Sequence, residues 1–506
     1  VCINVATALD AFLRIAGQHA RATTQAQIDE KLDQLAAALE ALADPPTRDQ
    51  LGAVADLLGW FSDRGIESEL MADVQGALSH PNLNVHVSQD LIASGSLRRV
   101  NDAPRPVRDF ILGTNIVGTG RTSGWVRTRM LPDPAHGLFE VTITATNTAQ
   151  AMGYNGPACI ATTSVTPLWG MKRFYLDQTG FHVWQAHSGA QAHSQIRGIG
   201  SSKPGLRGRI VRHVATKRAA QQKGLGEQIA SRHAEQQLNA RLDAEANTQL
   251  GRAHADYLAK IRNPLLRLAQ WPRQVSMGST PERLHITVLY DSASRFAATI
   301  SPPGMPERAT MAVQFHESMV NNYGDGLLAG RTMQQADLDR LSLDLFGKRP
   351  QQLVSDEEKG PWTMTFASQE PIRLRVDGGR ASFTLRGRRF GSVDRLVETP
   401  LDITAHYELL RENGAAKGKR QGEDIEVQPT GFVPGKRKMT VRELRDASFV
   451  RNRFNDFFTE EITSQGLVLP GQWAQAGRLE LVELMADHGW VTLAWRRAGD
   501  ASTKTD

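Results

Sequence analysis

Cysteine is almost missing from this chain: Cys2 and Cys159 are the only two in 506 residues. Two thiols match neither the ligand spacing of a zinc site nor a disulfide framework; they read as unrelated thiols, with a single bridge between them as the alternative. Aromatic residues make up only 6%, which argues against a carbohydrate-binding or base-stacking surface as the main business. No window reaches the roughly 18 consecutive apolar residues of a membrane-spanning helix. No basic-then-apolar leader is visible, and the chain opens on Val1 rather than Met. The compartment therefore stays open, with periplasm or cell envelope expected ahead of cytoplasm. Charge of one sign is not dominant either. A net charge of +5 with a pI near 9.2 describes a mildly basic surface rather than a nucleic-acid binder.

What is present is an apolar share of 40% in a chain long enough for two to four domains. Two stretches share one pattern: Val85-His86-Val87-Ser88-Gln89-Asp90-Leu91-Ile92 and Val313-Gln314-Phe315-His316-Glu317-Ser318-Met319-Val320. Each alternates apolar and polar residues, reaches a polar cap, continues with a helix-spaced apolar pair and leads into β-type sequence. The pattern predicts two related halves, each a strand, a helix and then a large antiparallel sheet.

Residues 1–80 read as a helical bundle. Leu32, Leu35, Ala36, Leu39 and Leu42 fall at helical spacing after a Thr24/Gln27 capping box. A second box, Thr47/Gln50, precedes Leu51, Val54, Leu57, Leu58 and Phe61. A third helix is expected around Leu70, Val74 and Leu78. Over 81–204 the period becomes two: Phe139, Val141, Ile143 and Ala145 alternate with Glu140, Thr142, Thr144 and Thr146. Residues 205–275 return to helix, with Leu238, Leu242, Ala246 and Leu250 four apart and Pro264 marking its end. Arg207, Arg209, Arg212, Lys217 and Arg218 make this segment the most basic of the chain. In 276–506, Ile372, Leu374 and Val376 turn at Asp377-Gly378-Gly379 into Ala381, Phe383 and Leu385. Asn413 to Gly422 reads as a loop tip, and a helix is expected near Phe454 to Ile462.

Reaction chemistry is not legible. Gly118-Thr119-Gly120-Arg121-Thr122-Ser123-Gly124 lacks the lysine of a phosphate loop and sits among strand-like segments, so it reads as a hairpin or bulge. His182, His187 and His193 would point to opposite sides of a strand, without a carboxylate among them, so no metal site is expected. No Gly-x-Ser-x-Gly elbow occurs. Glu460-Glu461 are adjacent rather than paired, and Asp487-His488 before Gly489 reads as a turn. No cofactor is implied, and enzymatic activity is not the leading expectation.

The ending Ile462-Thr463-Ser464-Gln465-Gly466-Leu467-Val468-Leu469-Pro470, followed by Leu479 to Leu484 and Gly489 to Trp495, resembles the close of the tubular lipid-binding domains. That group contains the bactericidal/permeability-increasing and lipid-transfer proteins. The resemblance implies a long helix on a strongly curved antiparallel sheet, two such units joined end to end, and a groove that holds lipid tails. The N-terminal bundle, the helical segment 205–275 and the missing disulfide depart from that plan. A second likeness, around Arg232-His233-Ala234-Glu235 and Thr384-Leu385-Arg386-Gly387-Arg388-Arg389-Phe390, is to envelope proteins of planctomycete-type bacteria, and it brings no activity with it.

The reading is an α+β protein: an N-terminal helical bundle, then two β-rich halves of long antiparallel strands each packed on a helix, separated by a helical segment. The leading function is non-catalytic carriage of a lipid or other long apolar ligand in the cell envelope. The expected lining is Leu91, Ile92, Met319, Val320, Leu327, Phe383 and Leu385, and Arg207, Arg209, Arg212, Lys217 and Arg218 are expected to contact an anionic membrane surface. A structural protein with a filled core is the first alternative and an enzyme of another class the second. Specific nucleic-acid binding is not expected, and the partner of the N-terminal helices is open.

Overall fold

The computed structural model describes residues 24–43, 46–66, 69–292, 294–306, 308–346, 362–392, 395–464, 467–469 and 471–498. Cys2 lies outside them, as do Gln465, Gly466 and Pro470 of the C-terminal motif. Cys159 is a free thiol.

Both N-terminal capping boxes form. Thr24 Oγ1 accepts from Gln27 N at the start of α1 (Gln25–Glu40), and Thr47 does the same for Gln50 N at the start of α2 (Arg48–Ser62). Leu35, Val54, Leu58 and Phe61 bury between them, with Phe296 of the central region completing the cluster. Helix α3 (Glu69–Leu78) buries no residue fully, and Leu70 stays exposed.

The first half starts with β1 (Leu83–Ser88) and α4 (Gln89–Ser96). Ser88 caps that helix by accepting from Leu91 N. Then come β2 (Arg98–Asn101), β3 (Arg105–Ile111), β4 (Thr114–Leu131), β5 (Gly137–Asn155), β6 (Ala158–Asp177), β7 (Gly180–Val183), β8 (His187–Ala190) and β9 (His193–Ser201). They form one eight-stranded antiparallel sheet. Helix α5 (Gly205–Tyr257) runs 53 residues along it and gives way to a π turn, Leu258–Arg262, before α6 (Asn263–Arg267). Pro264 lacks the N–H a regular helix would need there, which accounts for the break just upstream. The hairpin β10 (Gln274–Ser279) and β11 (Arg283–Leu289) closes this half.

The second half also opens on a strand and a helix. Strand β12 (Met311–His316) feeds α7 (Glu317–Leu328), which His316 caps by accepting from Ser318 N. After β13 (Thr332–Gln334) and α8 (Gln335–Phe346) come β14 (Trp362–Phe366), β15 (Ile372–Asp377), β16 (Arg380–Ser392), β17 (Leu396–Val397), β18 (Leu401–Glu412), β19 (Ala415–Arg420) and β20 (Glu426–Pro429). Helix α9 (Val441–Phe454) then precedes β21 (Glu461–Ser464), β22 (Leu467–Val468), β23 (Arg478–Asp487) and β24 (Trp490–Arg497). Asp377 pairs with Arg380 across Gly378 and Gly379, both at positive φ, as a two-residue hairpin demands.

Two local expectations change. The last helix is not at Phe454–Ile462. Thr440 and Glu443 form a capping box that starts it earlier, Ala447, Val450 and Phe454 bury its stripe, and Ile462 belongs to an edge strand. Nor is 413–422 a free loop tip: Asn413 and Gly414 make a positive-φ turn, and β19 follows, paired with β18 and β21.

The halves meet in a seven-stranded sheet ordered β10-β11-β1-β12-β24-β23-β22. Strands β1 and β12 carry the two similar sequence stretches and are antiparallel neighbours, with Val85 opposite Val313. Each is flanked by the closing hairpin of its own half. The arrangement is α+β, as its element order and three antiparallel sheets require. Among the described residues no helix is long and apolar enough to cross a membrane.

Candidate functional site

The glycines of 118–124 lie in mid-strand, paired to β5 without a register shift, not in a hairpin or bulge. An added Cβ at Gly118 would collide with Gln150 O, and one at Gly124 with Thr144 O. Strand β4 therefore crosses β5 more closely than any side chain permits, and the first sheet coils tightly around α5. The helix uses the same device: a Cβ on Gly170 would press into Leu242 and Leu238.

Alternation divides the sheet into two faces. The inner face is closed near the central sheet. There Met130 and Phe139 pack with Ile92, and Ile143 and Ala145 pack with Val100 and Leu238. Farther along the same strands the side chains shrink and burial falls away. Ile116, Ala149, Ala151, Ile160 and Ile199 are only partly buried, and the fully covered inward positions of β4 and β5 in this stretch are Gly120 and Gly153. Val211, Ala215 and Ala219 of α5 are partly buried in the same stretch. The outer half of the first sheet thus forms a partly open trough of isoleucine, alanine and glycine, with Thr122, Asn147, Thr162 and Ser164 also among its inward residues.

The first turns of α5 carry a second apolar feature. Leu206, Ile210 and Val214 recur every four residues and are 77%, 60% and 45% exposed. Between them Arg207, Arg209 and Arg212 are exposed, as are Lys217 and Arg218 one to two turns on. None of these five has an ion-pair partner among the described residues. The surroundings are also free of acids: no Asp or Glu occurs in 110–132, 141–176 or 178–226. The acids that bound this zone are engaged. Asp109 meets His233 at 2.8 Å. Asp102 meets Arg241 at 2.8 Å, and the hydrogen bond from Arg241 holds its carboxyl below the usual range. Burial would raise Glu227, but Ser194 N and Oγ donate to it and keep it low.

The apolar residues expected to line a groove fall into three places. Leu91 packs with Ala476 and Leu479, and Ile92 with Met130, Phe139 and Leu284; both lie beside the central sheet. Leu327, Phe383 and Leu385 come together in the second half, within a core that includes Met364, Phe366, Leu401, Ile403 and Phe454. Met319 and Val320 are half-buried on α7. The inward Ala and Gly positions of β4 and β5 escaped the sequence reading because small residues carry no strong pattern. Their two-residue spacing, Ala149, Ala151 and Gly153, is the signal that was there.

Elsewhere, His182, His187 and His193 sit on three different strands, and His182 stacks on Tyr175 beside Asp177. Among the described residues, Asp377, Asp487 and His488 group their ligand atoms within 4.8 Å, all exposed on two turns. A shallow depression of about 490 Å³ lies by Ala259, Asn263, Leu266 and Arg267, at the opposite end of α5 from the trough.

No family model matches the chain, and no curated protein matches it. Among solved structures the chain is similar to a crystal structure of lipopolysaccharide binding protein, at 9% identity and a TM-score of 0.31, over 82% of this chain and 98% of that one. It is also similar to P47 from Clostridium botulinum A2, at 7% identity and a TM-score of 0.21, over 82% and 97%. The first of these has the tubular lipid-binding fold that the C-terminal motif resembles.

Proposed function

We propose that the protein binds the acyl chains of an anionic lipid in the trough of its first half and meets the membrane surface with the start of α5. One observation carries this reading: the inner face near the tip is only partly buried, its isoleucines, alanines and glycines interrupted by a few Thr, Ser and Asn side chains, where a finished core would be closed. An apolar slot with few polar groups is suited to alkyl chains, at roughly 0.8 kcal/mol for each methylene removed from water. The exposed stripe Leu206, Ile210 and Val214 beside unpaired arginines has the composition of a helix that lies in a headgroup layer. On this reading Arg207, Arg209, Arg212, Lys217 and Arg218 serve the anionic surface. The lining is Ile116, Ala149, Ala151, Ile160 and Ile199, while Leu91 and Ile92 close the trough's inner end. Met319, Val320, Leu327, Phe383 and Leu385 lie in or beside the packed second half, which supports a structural role for that half.

The test is native mass spectrometry of the purified chain, followed by solvent extraction and lipid analysis. A stoichiometric acyl-lipid adduct is expected. Ala151→Trp, which fills the trough, should remove the adduct and leave the thermal midpoint nearly unchanged. A bare polypeptide mass that stays bare after incubation with phosphatidylglycerol would sink the proposal.

A further inference from the structure

The outward face of the first sheet has no place in this lipid reading, yet it carries aromatic residues that the chain otherwise uses sparingly. The ladder registers align one row straight across five strands: Arg99 opposite Trp125, Trp125 opposite Thr144, Thr144 opposite Trp169, and Trp169 opposite Gly189. Trp125 is 46% exposed and Trp169 is 52% exposed. Two strand spacings separate them, about 10 Å, with the Thr144 hydroxyl exposed between.

The indole of Trp169 is held in a particular attitude. A Cβ on Gly189 would lie 2.6 Å from its Nε1 and 2.9 Å from its Cε2. The ring therefore lies across the bare backbone of the next strand, one face on the sheet and the other toward water. A tryptophan laid flat offers its whole π face to a ring that stacks on it. The charges around the row are of one sign. Arg99 stands 6.0 Å from the Trp125 ring, and Arg121 and Arg127 are exposed at neighbouring outward positions of β4. The one acid among the outward residues of β5, Glu140, is already clamped by Arg129 at 2.6 Å and Arg173 at 2.9 Å.

We propose that this face binds an acidic polysaccharide: sugar rings stack on Trp169 and Trp125, and the carboxylate or sulfate groups meet Arg99, Arg121 and Arg127. The flat indole, the hydroxyl-bearing strand between the tryptophans and the unopposed arginines favour a rigid polyhydroxylated anion over a lipid surface. The site is separate from the trough, which opens on the other face of the same strands.

The test titrates the full chain with alginate oligosaccharides by tryptophan fluorescence and calorimetry, with cello-oligosaccharides as the neutral counterpart. Alginate should quench the fluorescence, bind more weakly as salt rises, and outcompete the neutral sugar. Trp169→Ala should weaken binding about tenfold, with the thermal midpoint and any bound lipid unchanged. Arg127→Glu, at an exposed position, should weaken binding and flatten its salt dependence, and it stands in if Trp169→Ala folds poorly. Absence of alginate binding, equal binding of the neutral sugar, or full affinity in both variants would overturn the proposal. So would a blue shift on phosphatidylglycerol vesicles that Trp169→Ala abolishes, since that outcome assigns the face to a membrane.

Discussion

The two halves each open on a strand and a helix and fill their interiors differently. In the second, α9 is 14 residues long and sends Ala447, Val450 and Phe454 into a core with Phe366, Phe390 and Phe458. In the first, a helix of 53 residues lies over glycine and alanine, and its outer third covers a face that stays partly open. Helix length and side-chain volume thus differ together between a closed core and a partly open face. Empty apolar space costs about 24 cal/mol per Å³, so a half that keeps a trough is stabilised by whatever fills it.

That contrast can be broken most forcefully from the closed side. Leu401, at 0% exposure beside Ile403 and Met364, should lose roughly 3–5 kcal/mol on Leu401→Ala, read by urea unfolding. Ile160→Ala in the trough should lose less than about 1 kcal/mol, because its surroundings are only partly packed. Equal losses at the two positions would mean the first half is as full as the second.

Acid offers an intermediate test. The α7 cap is His316, where the first half has Ser88. Burial, with Arg48 and Arg375 nearby, lowers the imidazole from 6.5 to about 4. The unfolded chain then binds the proton that the folded chain refuses. Stability is intact above about 6.5 and is lost as pH falls toward 4. His316→Ser should flatten the fall in melting temperature over that window, while the remaining slope includes His86, lowered to about 4 by burial beside His285 and Arg283, and His285, lowered by its own burial and Arg283. An unchanged slope would remove His316 from the account.

The smallest stability effect is expected at the tip. Arg212→Glu should leave unfolding unchanged within about 0.5 kcal/mol. It should weaken binding to phosphatidylglycerol vesicles by about 1 kcal/mol or more, read by co-sedimentation at low salt.

Local chemistry made much of the fold legible. Thr24/Gln27 and Thr47/Gln50 announced helix starts because a capping box is written within four residues, and Asp377-Gly378-Gly379 announced a turn for the same reason. Thr440/Glu443 was equally available, but the apolar Phe454 and Ile462 drew the helix downstream. The trough was not legible. Whether Ala149 faces a helix or water depends on its pairing with Ser164 and Gly120, and that depends on sheet coiling that no short window encodes. Gly118 and Gly124 carry the coil, yet glycine in a sequence announces freedom, not the close crossing that uses it.

The pairing of Val85 with Val313 has a consequence for how the chain is made. Strand β1 emerges early, and its partner on one side is not complete until His316 has left the ribosome. Until then that edge of a six-residue strand has exposed amides and carbonyls, and closing it requires a contact across nearly half of the chain. The same edge on a second nascent chain offers identical complementarity. A strand-exchanged dimer is the misassembled product this topology invites, and crowded synthesis would favour it over the slower intramolecular closure.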